Sequence, residues 1–218
     1  MPEAASLLTS SQSDAQEILD YLDLTLAAIR DFGQQILAEC TNVDPFDAGM
    51  ARGMKAYLAA VKNIRHILYR HGWKAAKRGN VELVINHAKN ISLCVSSGNK
   101  YIGTTDNRAG NRNKKGIECA ILVRNNQRQL DFFSHINFNK PAEDLQTWFI
   151  FYHFDISERK LRMEIALPLS YSFQTRNIEG FRQRIILPAI AFDDTFIAPS
   201  IEDFATEYDF SIKVRKNE

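Results

Sequence analysis

Hydrophobic residues in the first ninety positions recur at helical spacing. From Ser13, with Gln16 three residues on as in a capping box, Ile18, Leu19, Leu22, Leu26, Ile29, Ile36 and Leu37 mark one apolar face that runs to about Cys40. Asp14, Glu17, Asp20, Asp31 and Glu39 fall on the other side, so the spacing predicts one acidic amphipathic helix. Asn42-Val43-Asp44-Pro45 breaks it. A second helix follows, with Met50, Met54, Tyr57, Leu58, Val61, Ile64 and Leu68 as its apolar face and an end near Gly72. A shorter helix is expected from Val81 to Lys89, after Gly79-Asn80.

From Ile91 the period changes to two. Ile91–Val95 reads as a strand, Ile117, Cys119, Ile121 and Val123 alternate as a second, and Leu130–Phe138 as a third. Trp148–Phe154 is apolar on both faces and belongs in the centre of a sheet; its aromatic residues read as core and not as a base-stacking platform. Leu161, Met163, Ile165, Leu167 and Leu169 alternate with Lys160, Arg162 and Glu164, which predicts a strand with one wet face. The polar stretch Asp155–Arg159 joins it to the preceding strand as a hairpin. Phe181–Leu187 and Phe210–Val214 are further strand candidates. Helices followed by strands with short connections predict an α+β fold, a helical layer on a mostly antiparallel sheet. No linker divides the chain, so a single domain over 1–218 is expected, helical over 1–90 and β-rich over 91–218.

Composition adds limits. With 45% hydrophobic and 24% charged residues over 218 positions, collagen-like, disordered and disulfide-scaffold classes are excluded. No apolar run approaches the roughly 20 residues of a membrane span, and the first residues have no signal-peptide pattern. Three widely spaced cysteines, Cys40, Cys94 and Cys119, point to reduced thiols and a cytoplasmic setting.

Charge changes the picture more. The net charge of +1 conceals nine acidic residues against Arg30 alone in 1–50, and sixteen Lys/Arg against Glu82, Asp106 and Glu118 in 51–128. On a helical projection Arg52, Lys55, Lys62, His66 and Arg70 fall in an arc of about 80°, opposite the apolar face. Lys74, Lys77 and Arg78 extend this stripe, and Arg52 to Arg78 holds no carboxylate. If the two long helices pack by their apolar faces, the acidic and basic faces point apart, which leaves the stripe for an external polyanion.

A second candidate is the long segment Ser96–Gly116, rich in Gly and Asn, with Lys100, Arg108, Arg112, Lys114 and Lys115. Its backbone can converge on an anion while its cations supply charge. The expectation is therefore a nucleic-acid-binding protein, DNA or RNA, whose stripe and loop form one phosphate-contacting surface. Two alternatives come from other classes. Asp106 and Glu118 could serve a divergent metal-dependent nuclease, although the strand triplet Glu118-Cys119-Ala120 lacks the lysine such sites carry. The acidic first helix could instead dock a protein partner or a second copy. Gly98–Thr105 lacks the Lys-Ser/Thr of a phosphate loop, and no nucleophile elbow, HExxH or CxxC motif is present. No metal, cofactor or membrane is called for.

Overall fold

The computed structural model describes residues 12–132 and 145–192, with side chains over 15–128 and 145–192. Among these residues four helices and nine strands follow in the order α1 (Gln12–Tyr21), α2 (Leu26–Thr41), α3 (Ala51–Tyr69), β1 (Lys74–Arg78), β2 (Val81–Asn86), β3 (Ile91–Ser97), α4 (Ile117–Phe132), β4 (Gln146–Asp155), β5 (Lys160–Pro168), β6 (Tyr171–Ser172), β7 (Asn177–Ile178), β8 (Phe181–Ile186) and β9 (Ile190–Ala191). The main sheet runs β1-β2-β3-β4-β5-β8, with β9 also on β5; among the described residues only β3 and β4 pair in parallel. The fold is α+β, with an N-terminal helical region and a mostly antiparallel sheet. No helix among the described residues is long and apolar enough to cross a membrane.

Alternation along the central strands sends side chains into two cores. Trp148, Ile150, Tyr152 and Phe154 of β4, with Leu93 and Val95 of β3, pack under α1, α2 and α3. Phe149 and Phe151, with Cys94, pack on the opposite face under α4 and the 98–116 loop, through Cys119, Leu122, Val123, Ile102 and Ala109. The strand is uniformly apolar because both of its faces are covered.

Several expectations need correction. The first long helix is two: Asp23 takes a positive φ of 56°, and Thr25 Oγ1 accepts the Ala28 N–H to cap α2. That break places the Asp23 carboxylate where Trp73 Nε1 donates to it at 2.8 Å and Lys89 pairs with it at 2.8 Å. Val81–Asn86 is a strand, paired with β1 across the Gly79-Asn80 turn, so the first ninety residues already hold a hairpin. Gly79 has φ +53°, and a Cβ there would lie 2.5 Å from Glu118 Cγ, so the turn selects glycine both for its backbone and for α4 beside it.

Ile117–Val123 opens a helix and not a strand. Parallel β3 and β4 need a crossover, and α4 supplies it. Its buried residues Cys119, Leu122, Val123 and Asn126 share a helical face, whereas Ile117 is exposed. Asn126 fixes α4 to the sheet by donating to the Thr147 and Pro168 carbonyls and accepting from the Thr147 N–H. Leu130 to Phe132 end α4, and the rest of the third expected strand, like Phe210–Val214, lies outside the described residues. The wet face expected for β5 is dry: Glu164 is fully buried and Arg162 largely so, because the 98–116 loop lies over them.

Candidate functional site

The outer face of α3 differs from its expected form. The buried side consists of Gly53, Ala56, Ala59 and Ala60, small residues that admit α2 at close range, with Ile64 and Leu68. Met54 and Leu58, expected in the core, are 40% and 56% exposed, and Tyr69 is 76% exposed. The basic stripe thus shares its face with apolar side chains. Lys62, His66 and Arg70 are exposed; Arg52 and Lys55 are half-buried. Lys55 is committed, with Nζ 2.7 Å from Asp47 Oδ2 and 2.6 Å from the Asn42 carbonyl.

Carboxylates from outside the segment neutralise part of it. Glu82 of β2 accepts from Arg65 at 2.6 Å and lies 3.7 Å from Lys77, and Arg65 also donates to the Ala76 and Leu83 carbonyls, tying α3 to the hairpin. Glu118 takes Arg78 at 2.9 Å. Lys62, His66, Arg70 and Lys74 make no ion pair among the described residues. Lys74 and Lys77 are exposed on β1, an edge strand whose cations also deter further strand pairing.

The 98–116 loop is built into the fold. Gly98 bridges Asn111, and the buried Asn111 side chain accepts from the Ile178 N–H and donates to the Asn113 carbonyl. Beneath it lies the Glu164–Arg184 pair at 2.6 Å. Glu164 accepts the Gly103 N–H, and Arg184 donates to the Thr104 and Asp106 carbonyls, so one buried ion pair holds both sides of the loop's first turn. Lys100, Arg108 and Lys114 are exposed, while Arg112 and Lys115 are half-buried. Burial lowers the Arg112 pKa. The Lys115 carbonyl accepts from the Tyr171 hydroxyl and Arg176 Nε. Arg108 lies 4.1 Å above the Tyr101 ring centroid and forks onto the Asp106 carboxylate.

These Arg108 hydrogen bonds hold Asp106 at a pKa of about 2, against an ordinary 3.8. The folded value lies below the unfolded one, so the pair contributes stability above about pH 4 and loses it as pH falls from about 4 toward about 2. A carboxyl-carbon NMR titration is expected to give a midpoint near 2 for Asp106, moving toward 3.8 in Arg108→Gln; a native midpoint near 3.8 contradicts the pair.

Sequence reasoning missed the polar cluster where β4 ends. His153 faces Arg162 across the β4–β5 ladder, and Arg162 pairs with Asp155 at 2.6 Å. The His153 Nδ1 is 3.2 Å from the Gly98 carbonyl. Burial lowers its pKa, against the hydrogen bond to Gly98, and the Arg162 and Arg112 guanidiniums lower it further; since the Gly98 carbonyl can only accept, Nδ1–H is the donor. The signal that could have found this cluster is the run of ionisable residues on one face of two otherwise apolar strands.

The stripe and the loop do not form one face. Strand alternation puts α3 over one side of the sheet and the loop over the other. They approach at the β1–β2 edge: Lys77 shares Glu82 with Arg65 on the α3 side, and Arg78 reaches Glu118 on the α4 side, just after Lys114 and Lys115. The nuclease carboxylates are not gathered either. Glu118 stands in the first turn of α4, beside the β1–β2 turn, while the Asp106 segment is held by Arg184 of β8 at the far edge of the sheet. Each accepts a guanidinium, and no group of three His, Cys, Asp or Glu among the described residues is placed to hold a metal.

Compared with protein-family models, curated proteins and solved structures, the chain matches none.

Proposed function

We infer that this protein binds nucleic acid through its phosphates along the β1 edge of the sheet. Lys62, His66 and Arg70 from the end of α3, Lys74 and Lys77 from β1, and Lys114 ahead of α4 are the contacts. The observation that carries this reading is a set of exposed Lys and Arg side chains, Lys62, Arg70, Lys74, Lys77 and Lys114, several of them without a carboxylate partner among the described residues. Cations held this way keep their charge available to an external anion, whereas Lys55, Arg65, Arg78 and Arg108 are occupied. Lys100 and Arg108, at the opposite end of the loop, are secondary contacts at most, reached only by a longer strand. A surface of this kind positions a backbone without reading bases, so duplex and single strands of any sequence are accepted. The three buried cysteines form no disulfide, which fits a reducing compartment such as the cytoplasm.

Fluorescence anisotropy with labelled 20-residue duplex and single-stranded DNA and RNA, at about 50 mM salt, tests the reading. Saturable binding that differs little between sequences is expected. Absence of binding at that salt, with loss of a protein partner when Glu17 and Asp20 on α1 are neutralised, favours the scaffold role instead.

A further inference from the structure

The β6–β7 hairpin brings an aromatic ring to the Lys114 end of the surface drawn above. Its ladder sets Tyr171 opposite Ile178 and Ser172 opposite Asn177. Tyr171 and Ile178 pack into the core under α4 and the 98–116 loop, whereas Phe173, at the turn beyond the ladder, is 70% exposed. A lone exposed phenylalanine is ordinary. This one is anchored. Its ring lies across the Tyr171 ring, with centroids 5.2 Å apart and planes at 79°. The Tyr171 hydroxyl donates to the Lys115 carbonyl at 2.6 Å, and Arg176 Nε donates to the same oxygen at 3.2 Å. The Lys115 N–H donates in turn to the Arg176 carbonyl at 2.9 Å. The hairpin and the segment that carries Lys114 therefore form one unit.

The charge of this unit is positive. Residues 107–117 hold Arg108, Arg112, Lys114 and Lys115 and no carboxylate, and the hairpin adds Arg176 and Glu179. Glu179 accepts the Thr175 hydroxyl at 2.8 Å. Glu118, next along the chain, takes Arg78 at 2.9 Å, and that pair joins the unit to β1. We propose that Phe173 stacks a nucleobase of a single-stranded nucleic acid whose phosphates lie on Lys114 and the cations of the β1 edge. The proposal rests on the phosphate-binding reading and adds a contact that the cations alone do not make. The ring's neighbours Ser172, Gln174 and Thr175 are polar, so the apolar surface here suits one flat group and not a broad protein interface. A base presents its face to a side chain only once it is unstacked from its neighbours, as in a single strand; a duplex gains nothing from Phe173 along its length. Every base has such a face, so the contact selects single strands without selecting a sequence.

Anisotropy titrations of the full chain with labelled oligo-dT and with a blunt duplex of equal length, at about 50 mM salt, test the stacking. Phe173→Ala should weaken oligo-dT binding about tenfold, the ordinary scale for one stacked base, and duplex binding less than about twofold. Its salt slope on oligo-dT should match the native one, because no phosphate contact is lost. Phe173→Trp should restore the affinity, and its indole emission should be quenched by oligo-dT; Trp73 and Trp148 are buried and contribute a constant background. Oligo-dT affinity in Phe173→Ala within about twofold of native overturns the stacking and leaves the phosphate reading standing. Equal losses on oligo-dT and duplex, or a shallower salt slope, overturn it too, since they mean that the ring acts by placing Lys114. If the native chain binds neither oligonucleotide, the phosphate reading falls and the stacking with it.

Discussion

Replacing Arg184 with methionine is expected to lower stability by about 3–5 kcal/mol, the usual cost of leaving one partner of a buried ion pair uncompensated. Glu164 is 0% exposed and cannot regain solvent without opening the sheet. The loss spreads beyond the pair, since the Thr104 and Asp106 carbonyls lose their donors. For a chain of this size the change corresponds to a drop of roughly 6–20 °C in Tm. Amide exchange should place the added opening in residues 98–111 first, because that turn hangs on Glu164 and Arg184. The double variant Glu164→Leu, Arg184→Met should recover the part of the loss due to the uncompensated charge, while the Gly103 N–H and the Thr104 and Asp106 carbonyls stay without these partners. A single variant within 1 kcal/mol of the native chain would mean that the pair is hydrated and the loop supports itself.

The second large effect concerns binding. On the proposed phosphate-binding reading, changing Lys62, Arg70 and Lys74 together to glutamine removes three contacts. Each contributes about 0.9 to the logarithmic salt slope on duplex, so at about 50 mM salt affinity should fall about 10³-fold. The fold should be untouched, because all three side chains are exposed and make no ion pair among the described residues. The same number of changes at Lys55, Arg78 and Arg108 should weaken binding far less, and Arg78→Gln should cost stability by freeing Glu118. Equal losses from the two sets would remove the distinction between occupied and available cations on which the site is drawn.

How much of this was legible in the sequence follows from how local each signal is. β3, β4, β5 and the β4–β5 hairpin were readable because their period or their unbroken apolar run survives in the fold, and α3 was readable as a helix although its buried face was not. Ile117–Val123 alternates by chance over a few residues; Leu122, Val123 and Asn126 carried the helical face, and a parallel β3–β4 pair, which no local pattern announces, demanded the crossover. β1 had no apolar alternation to read, since Lys74-Ala75-Ala76-Lys77-Arg78 lies at an edge. On α3 the large apolar residues drew attention from the alanines, although the close approach of α2 needs small side chains. For the site, the cations were visible but their partners were not. Glu82, Glu118 and Asp47 lie outside the stripe and reach it only through tertiary structure. Glu164, whose alternation suggested solvent, became a buried support because a loop from elsewhere covers it.

The central claim is that phosphates are held at the β1 edge, and the salt dependence of binding tests it most directly. With about four to six contacts, a plot of log affinity against log salt should be linear with a slope of about −4 to −5 on duplex DNA. The slope should become shallower by about 2.7 in the Lys62, Arg70, Lys74 glutamine variant. A slope near zero, or one that the three substitutions leave unchanged, contradicts phosphate binding at this edge.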